Sequence, residues 1–267
     1  MTYFQRFEGG QIGVTGDRAV AVEWYCRHLG LAVVFDSPAE GQTLLRFSGG
    51  NAIPLVSVSG GTRRCIWPSA GGMPTREPHM RLTLATPDAP GTRAALAAEG
   101  IRVDRLRKGP GGLETFDLWD LEGTRLTLVS APNEMAGAGT TRVSGYAPPR
   151  IGVRDLEAAL AWYSGTLGMT VLYVQAPFRR ALLELGTFLP LWLEQLPPER
   201  FRGPQAAFAR PFLLAPDIEA AHAYCRAQKL QVSPLLGEPG DLRLFQFFDP
   251  DGNAIGVWWY PGAGGAG

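Results

Sequence analysis

The sequence predicts an α+β protein of four βαβββ modules arranged in two tandem domains, and three observations carry that prediction. Residues 151–185 read as strand, helix, strand and strand. The helical part of that text recurs near the N-terminus without a gap. A helix cap and a closing turn recur together elsewhere in the chain.

The 151–185 stretch begins with Ile151-Gly-Val and then Asp155, whose carboxylate can accept a backbone N–H left unpaired at a helix start. Leu156, Leu160, Tyr163 and Leu167 fall at i, i+4, i+7 and i+11, the apolar stripe of an amphipathic helix lying on a sheet. Gly168 ends the helix. Met169 to Val174 and Arg180 to Leu185 are β-favouring runs with Pro177 between them, and Leu189 to Leu193 supplies a fourth strand. Asp17, Val22, Trp24-Tyr25 and Leu29-Gly30 precede Asp155, Leu160, Trp162-Tyr163 and Leu167-Gly168 by 138 residues. The Gly50 to Leu55 run echoes Gly186 to Leu191 at an offset of 136. Ordered repetition of this kind implies duplication.

From the N-terminus, residues 1–11 read as a loose lead-in and Gln11 to Val14 as the first strand. Helix Arg18 to Leu29 follows, then strands Leu31 to Phe35, Thr43 to Phe47 and Ile53 to Val58. A Gly/Pro/Arg-rich connector, Gly60 to Pro78, leads to a second module: strand His79 to Ala85, a helix capped by Asp88, and strands Ile101 to Leu106, Leu113 to Leu118 and Arg125 to Val129. A segment rich in Gly, Ala, Thr and Ser, Ser130 to Gly145, reads as a flexible linker. The fourth module has strand Phe212 to Leu214, a helix from Asp217 to Lys229, and strands Val232 to Leu236, Leu242 to Phe248 and Ala254 to Tyr260. Asp88 and Asp120 recur as Asp217 and Asp249, both 129 residues later. The expected organisation is a first domain over 1–130, a linker over 131–145, a second domain over 146–262 and a disordered tail over 263–267.

A chain of 267 residues that is 45% hydrophobic can bury two cores of ordinary size. Zero formal net charge argues against nucleic acid and anionic membrane as partners, since both select basic surfaces. No apolar run reaches the ~18 residues of a membrane span, and the N-terminus lacks a signal peptide's basic and apolar regions. A cytoplasmic location is therefore expected. Cys26, Cys65 and Cys225 lack metal-type spacing and read as thiols buried in the fold.

Trp-Tyr-x3-Leu-Gly in the odd modules and Phe248-Asp-Pro-Asp-Gly-Asn253 in the last resemble the vicinal-oxygen-chelate superfamily, which holds glyoxalase I, extradiol dioxygenases and bleomycin-resistance proteins. The resemblance runs from about residue 10 to 260. It implies glyoxalase-like domains in which paired modules form a cup-shaped mixed β-sheet around a ligand. In metal-dependent members it also implies a His on the first strand of the odd module, a second ligand on the first strand of the even module, and a Glu on the even module's last strand. Such a divalent ion chelates neighbouring substrate oxygens as a Lewis acid.

Counting from the capping Asp residues places these positions at Gly10 and Pro148, at Arg81 and Arg210, and at Thr127 and Gly256. None supplies an imidazole or a carboxylate, and a guanidinium repels a cation. The expectation is no metal and no cofactor. His79, two residues before Arg81, is the one imidazole that a slipped alignment promotes to ligand, with Glu77, Glu114 and Glu184 as distant carboxylates; His28 and His222 lie on helices. Arg81 and Arg210 read either as cations aimed into a cup or as structural partners of a carboxylate in the same domain. Trp258 shares a strand face with Gly256, so it points inward beside space that the glycine leaves free, and Trp192, Phe245 and Phe247 can join it. The other reading of these aromatic residues is ordinary core packing.

The candidate ligand-binding residues are thus Arg81, Arg210, His79, Thr127, Gly256 and Trp258, with the second domain, where Arg210 faces Gly256 and Trp258, expected to be the better site. The function these imply is metal-free binding or sequestration of an apolar or aromatic metabolite or antibiotic, by a monomer or homodimer. The alternative is a lyase, isomerase or dioxygenase of the same superfamily using a divalent metal. A third reading is an interaction module with filled cups.

Overall fold

The computed structural model describes residues 2–58, 79–131, 141–186, 188–201 and 209–262. The Gly60 to Pro78 connector, Cys65, Glu77, most of the expected linker and the 263–267 tail lie outside these residues. The described residues of Gln11–Cys65 and Arg81–Pro148 form one compact unit, called the N-unit below. Those of Met1–Gly10, Ile66–Met80 and Pro149–Gly267 form the other, the C-unit. The strands fall in two mixed sheets, of seven and eight strands.

Three modules share the βαβββ plan, the fourth has two regular strands after its helix, and all four predicted capping aspartates do their work. Strand β1 (Arg6–Val14), helix α1 (Arg18–Leu29) and strands β2 (Ala32–Ser37), β3 (Gln42–Arg46) and β4 (Ala52–Ser57) make the first module. The second contains β5 (Met80–Thr86), α2 (Ala89–Ala98), β6 (Arg107–Lys108), β7 (Glu114–Trp119) and β8 (Arg125–Ser130). The third contains β9 (Gly145–Val153), α3 (Leu156–Leu167), β10 (Thr170–Gln175), β11 (Arg180–Glu184) and β12 (Leu191–Gln195), and the fourth β13 (Ala209–Leu214), α4 (Ile218–Ala227), β14 (Arg243–Phe248) and β15 (Ala254–Trp259). In each module the first strand runs parallel to the last, and the others pair antiparallel. Asp17, Asp88, Asp155 and Asp217 each accept a backbone N–H in the first helical turn, at 2.8–3.0 Å. Gly30 and Gly168 end their helices at φ of 75° and 72°, a left-handed conformation that glycine adopts without a Cβ clash.

Several expected boundaries are corrected. Residues 6–11 are not a lead-in but the start of β1. The buried stripe of α3 is Ala159, Tyr163 and Leu167, four residues apart, and that of α1 is Ala21, Tyr25 and Leu29; Leu156 and Leu160 lie at the margin. The expected strands Ile101 to Leu106 and Val232 to Leu236 shrink to isolated bridges, Val103 with Leu118, Val232 with Phe247 and Leu236 with Leu244. Leu55 and Leu193 both face the first-strand isoleucine of their modules, Ile12 and Ile151. The true offset between these last strands is therefore 138, and the echo at 136 was not structural. The described end of the expected linker is packed: Ser144 N–H donates to the Ala85 carbonyl and Arg142 donates to the Glu99 carboxylate. Among the described residues, no helix is long and apolar enough to cross a membrane.

Each helix covers one face of its module's strands. In the third module Ile151, Val153, Ala181, Leu183, Leu191 and Leu193 are buried on the helix face. Strand alternation then sends Arg150, Arg180, Leu182, Trp192 and Glu194 to the opposite face.

Within each unit one contact ties the odd module's helix to the even module's last turn. The Tyr25 hydroxyl donates to Asp120 at 2.8 Å in the N-unit, and the Tyr163 hydroxyl to Asp249 at 2.8 Å in the C-unit. Both phenols are buried. Burial, and then the adjacent carboxylate, raises both tyrosine pKa values well above the ordinary value. The second acid of each turn serves the same junction. Glu122 accepts from the backbone of Thr15 and Gly16, and Asp251 from the backbone of Arg154. Tyr163→Phe removes a charge-assisted bond to a buried carboxylate, so it should cost about 1.5–3 kcal/mol. Urea unfolding measures this, and Tyr25→Phe should behave alike.

Candidate ligand-binding site

The register of β5, β7 and β8 builds the first candidate site in the N-unit. Thr83 faces Thr127, and Thr127 faces Asp117, so Arg81, Thr83, Asp117, Arg125 and Thr127 share the sheet face away from α2. Asp117 is fully buried. It accepts from Thr127 Oγ1 at 2.7 Å, Arg107 Nη2 at 2.7 Å, Arg125 Nε at 2.8 Å and, more distantly, Arg81 Nη1 at 3.5 Å. Burial pushes the Asp117 carboxyl pKa upward, but the Thr127 hydroxyl and the three guanidinium groups outweigh it and hold the carboxyl below its usual range. The guanidinium groups retain partial exposure, 21% for Arg81, 29% for Arg107 and 18% for Arg125, so this face carries fixed positive charge within reach of water.

The C-unit repeats the geometry with different chemistry. Arg210 and Gln246 stand where the N-unit has Arg81 and Asp117, and Arg210 Nη1 donates to Gln246 Oε1. Arg210 is only 4% exposed. Gly256 lies opposite both Phe212 and Gln246, and a Cβ there would collide with the Phe212 ring. The space expected beside Gly256 is therefore filled, because the position held by Thr83 in the N-unit is Phe212 here. Trp258 does lie on this face, stacked on Phe212 at 4.5 Å, and its Nε1 donates to Glu8, which also accepts from Tyr260 and Arg6. Phe245 and Phe247 pair with Val257 and Ile255 on the opposite face and belong to the buried core.

His79 stands apart from both groups. Its ring packs on Phe201 at 4.1 Å, and its buried Nε2 makes no hydrogen bond. Burial, followed by the nearby Arg200 and Arg154, lowers its pKa to about 4. That environment rejects a cation, which disfavours promoting His79 to metal ligand.

One of the counted positions also slips. Val14-Thr-Gly-Asp17 is a residue longer than Val153-Arg-Asp155, and Ile12 matches Ile151, so the counterpart of Pro148 is Gly9, not Gly10. Gly9 offers no donor side chain either. With Gly9, Pro148, Arg81, Arg210, Thr127 and Gly256 at the counted positions, the donor set there does not fit a divalent ion. Among the described residues no group of three His, Cys, Asp or Glu side chains is arranged to hold one.

Sequence reasoning missed Asp117, Arg107 and Arg125. The available signal was a lone carboxylate in the middle of an apolar strand, between Phe116 and Leu118. Such a residue has to face away from the core or find cations.

Two outcomes test this geometry. Asp117→Ala strands three guanidinium groups around an empty centre and should cost about 3–5 kcal/mol, more than Arg81→Ala, which leaves two guanidinium groups on the carboxylate; chemical denaturation distinguishes them. The second concerns His79, whose ring-proton NMR resonances should titrate near pH 4. A histidine pKa depressed below its unfolded value of about 6.5 stabilises the fold above that pH, and the contribution is lost as pH falls from 6.5 through 4. His79→Leu should lack this loss.

Comparison with known proteins supports the fold. Residues 145–257 match the model of the Glyoxalase/Bleomycin resistance protein/Dioxygenase superfamily. A Bacillus subtilis subsp. subtilis str. 168 structure provisionally named a dioxygenase is 13% identical over 98% of this chain and 87% of that one, with a TM-score of 0.70. Glyoxalase I from Zea mays is 17% identical over 95% of this chain and 92% of that one, with a TM-score of 0.62. At these identities the likeness shows a common fold. No curated protein sequence matches the chain. The glyoxalase/bleomycin resistance/dioxygenase superfamily model thus covers the third and fourth modules, and the fold is shared with these solved structures along nearly the whole chain.

Proposed function

We propose that this chain binds a small apolar or aromatic molecule without a metal, as a sequestering or resistance protein rather than a metal-dependent enzyme. The observation that carries the reading is the group of Arg81, Arg107 and Arg125 around Asp117, at the place where metal-dependent relatives hold a cation. A fixed positive charge there can grip directly the substrate oxygen that an ion would otherwise polarise. Arg125 and Arg107 hold Asp117 at short range. Arg81 stands on the same face with its side chain 21% exposed, which puts its guanidinium within reach of a ligand. Thr127 positions Asp117, and Arg210, buried against Gln246, acts as a structural element of the C-unit. The metal-dependent alternative has to recruit His79, and its apolar contact with Phe201 and cationic neighbours speak against that.

Two measurements decide between them. Elemental analysis of protein purified without chelator should find no stoichiometric Ni, Zn, Fe or Mn. Tryptophan-fluorescence titration against aromatic carboxylic acids and polycyclic natural products should find a binder that Arg81→Ala weakens by roughly ten- to a hundredfold. One tightly held metal per chain, lost on His79→Ala, would reverse the assignment.

A further inference from the structure

We infer that, in the C-unit, the Arg180 guanidinium receives the carboxylate of a planar aromatic acid. The inference rests on the ligand-binding reading and adds to it a group of side chains that shares no residue with the one around Asp117.

Arg180 opens β11 directly after the turn at Ala176–Phe178. It lies opposite Gln175 on β10 and Glu194 on β12, and Trp192 in turn lies opposite Arg150 on β9. These side chains therefore share the face turned away from α3. The Arg180 guanidinium carbon lies 4.7 Å from the Phe178 ring and 5.3 Å from that of Trp192. Its Nε donates to the Gln175 amide oxygen. Neither terminal nitrogen makes a hydrogen bond to any described residue, although Arg180 is only 9% exposed.

The obvious counter-ion is already engaged, since Glu194 accepts from Arg150 at 2.6 Å. Two guanidinium groups thus share one carboxylate, and the excess cation is the more deeply buried of the two. A guanidinium offers five N–H donors, and burying it without a hydrogen-bonded anion costs several kcal/mol. Ring faces offset part of that cost but leave the two forked N–H groups unanswered. The chemistry that answers them is a planar oxyanion bound through two parallel N–H···O bonds.

The surroundings select the rest of the ligand. Trp192 forms a buried apolar wall, and Phe178, 63% exposed, stands over the guanidinium at the rim. Tyr173, 51% exposed, is fixed by a hydrogen bond from the Gln175 side-chain amide to its hydroxyl. Large aromatic side chains left partly in water beside a buried cation suit a flat hydrophobic body with one carboxylate.

The probe is 1-naphthoate, with 1-naphthamide as its uncharged counterpart, and the readouts are fluorescence of Trp192 and thermal stability of the full chain. Wild type should bind 1-naphthoate at least tenfold more tightly than 1-naphthamide, and the fluorescence response should vanish in Trp192→Phe. Arg180→Leu should lose at least tenfold in affinity while melting no lower than wild type, because an apolar residue replaces an uncompensated buried charge. Arg180→Lys, which keeps the charge but not the fork, should fall between them. Arg81→Ala should lose less affinity for the probe than Arg180→Leu does. Equal binding of naphthoate and naphthamide, or undiminished naphthoate binding by Arg180→Leu and Arg180→Lys, would overturn the site. If binding falls with Arg81→Ala and not with either Arg180 variant, this site is wrong and the Arg81 assignment stands.

Discussion

A buried phenol donating to a buried carboxylate is the contact on which each unit depends. The Asp249 carboxylate sits at the start of its turn, accepting from the Asp251 and Asn253 backbone and the Asn253 side chain, and the Tyr163 hydroxyl is its link to another module. Asp120 does the same with Tyr25, Glu122 and Thr124. Burial raises the pKa of both carboxyl groups despite those donors, to about 6 for Asp249. The turn thus needs the tyrosine as much as the helix needs the turn. Because the second turn acid holds the backbone between strand and helix, an odd module and its even partner are locked at two points a few residues apart.

That lock leaves the other sheet faces free to diverge. An arginine on the first strand of the even module faces an acceptor on its middle strand in both units, Asp117 for Arg81 and Gln246 for Arg210. Changing the acceptor from carboxylate to amide removes one charge, and the two extra arginines disappear with it, since Ala254 stands where the N-unit has Arg125. Phe212 in place of Thr83 then closes the C-unit face with an aromatic ring. The second module thus carries a charged, partly exposed group where the fourth carries Arg210 and Gln246 packed beside an aromatic pair, which is the freedom expected where function lies in sites placed on a shared fold.

The legible part of the site was the residue type at counted positions. Arg81, Arg210, Thr127 and Gly256 all lie on the expected face, because strand alternation and an ungapped 129-residue repeat leave no room for a slip. The odd module was less forgiving. One extra residue between Val14 and Asp17 moved the counted position from Gly9 to Gly10, since a helix cap does not record a change in the length of the approach to it. His79 looked like a companion of Arg81 at a spacing of two, but it precedes β5, and its ring turns to Phe201.

The sequence by itself determined the module plan, the four capped helices, the duplication and the residue types at the ligand positions. These are written in local spacing: a carboxylate before a helix, glycine after it, alternation along a strand. Only the tertiary structure decided what each of those residues touches. That Asp117 gathers three guanidinium groups, that Phe212 fills the space left by Gly256, and that Arg180 stands among Phe178 and Trp192 depend on the register between paired strands. Register is settled by the whole sheet packing against its helices, so no local pattern encodes it.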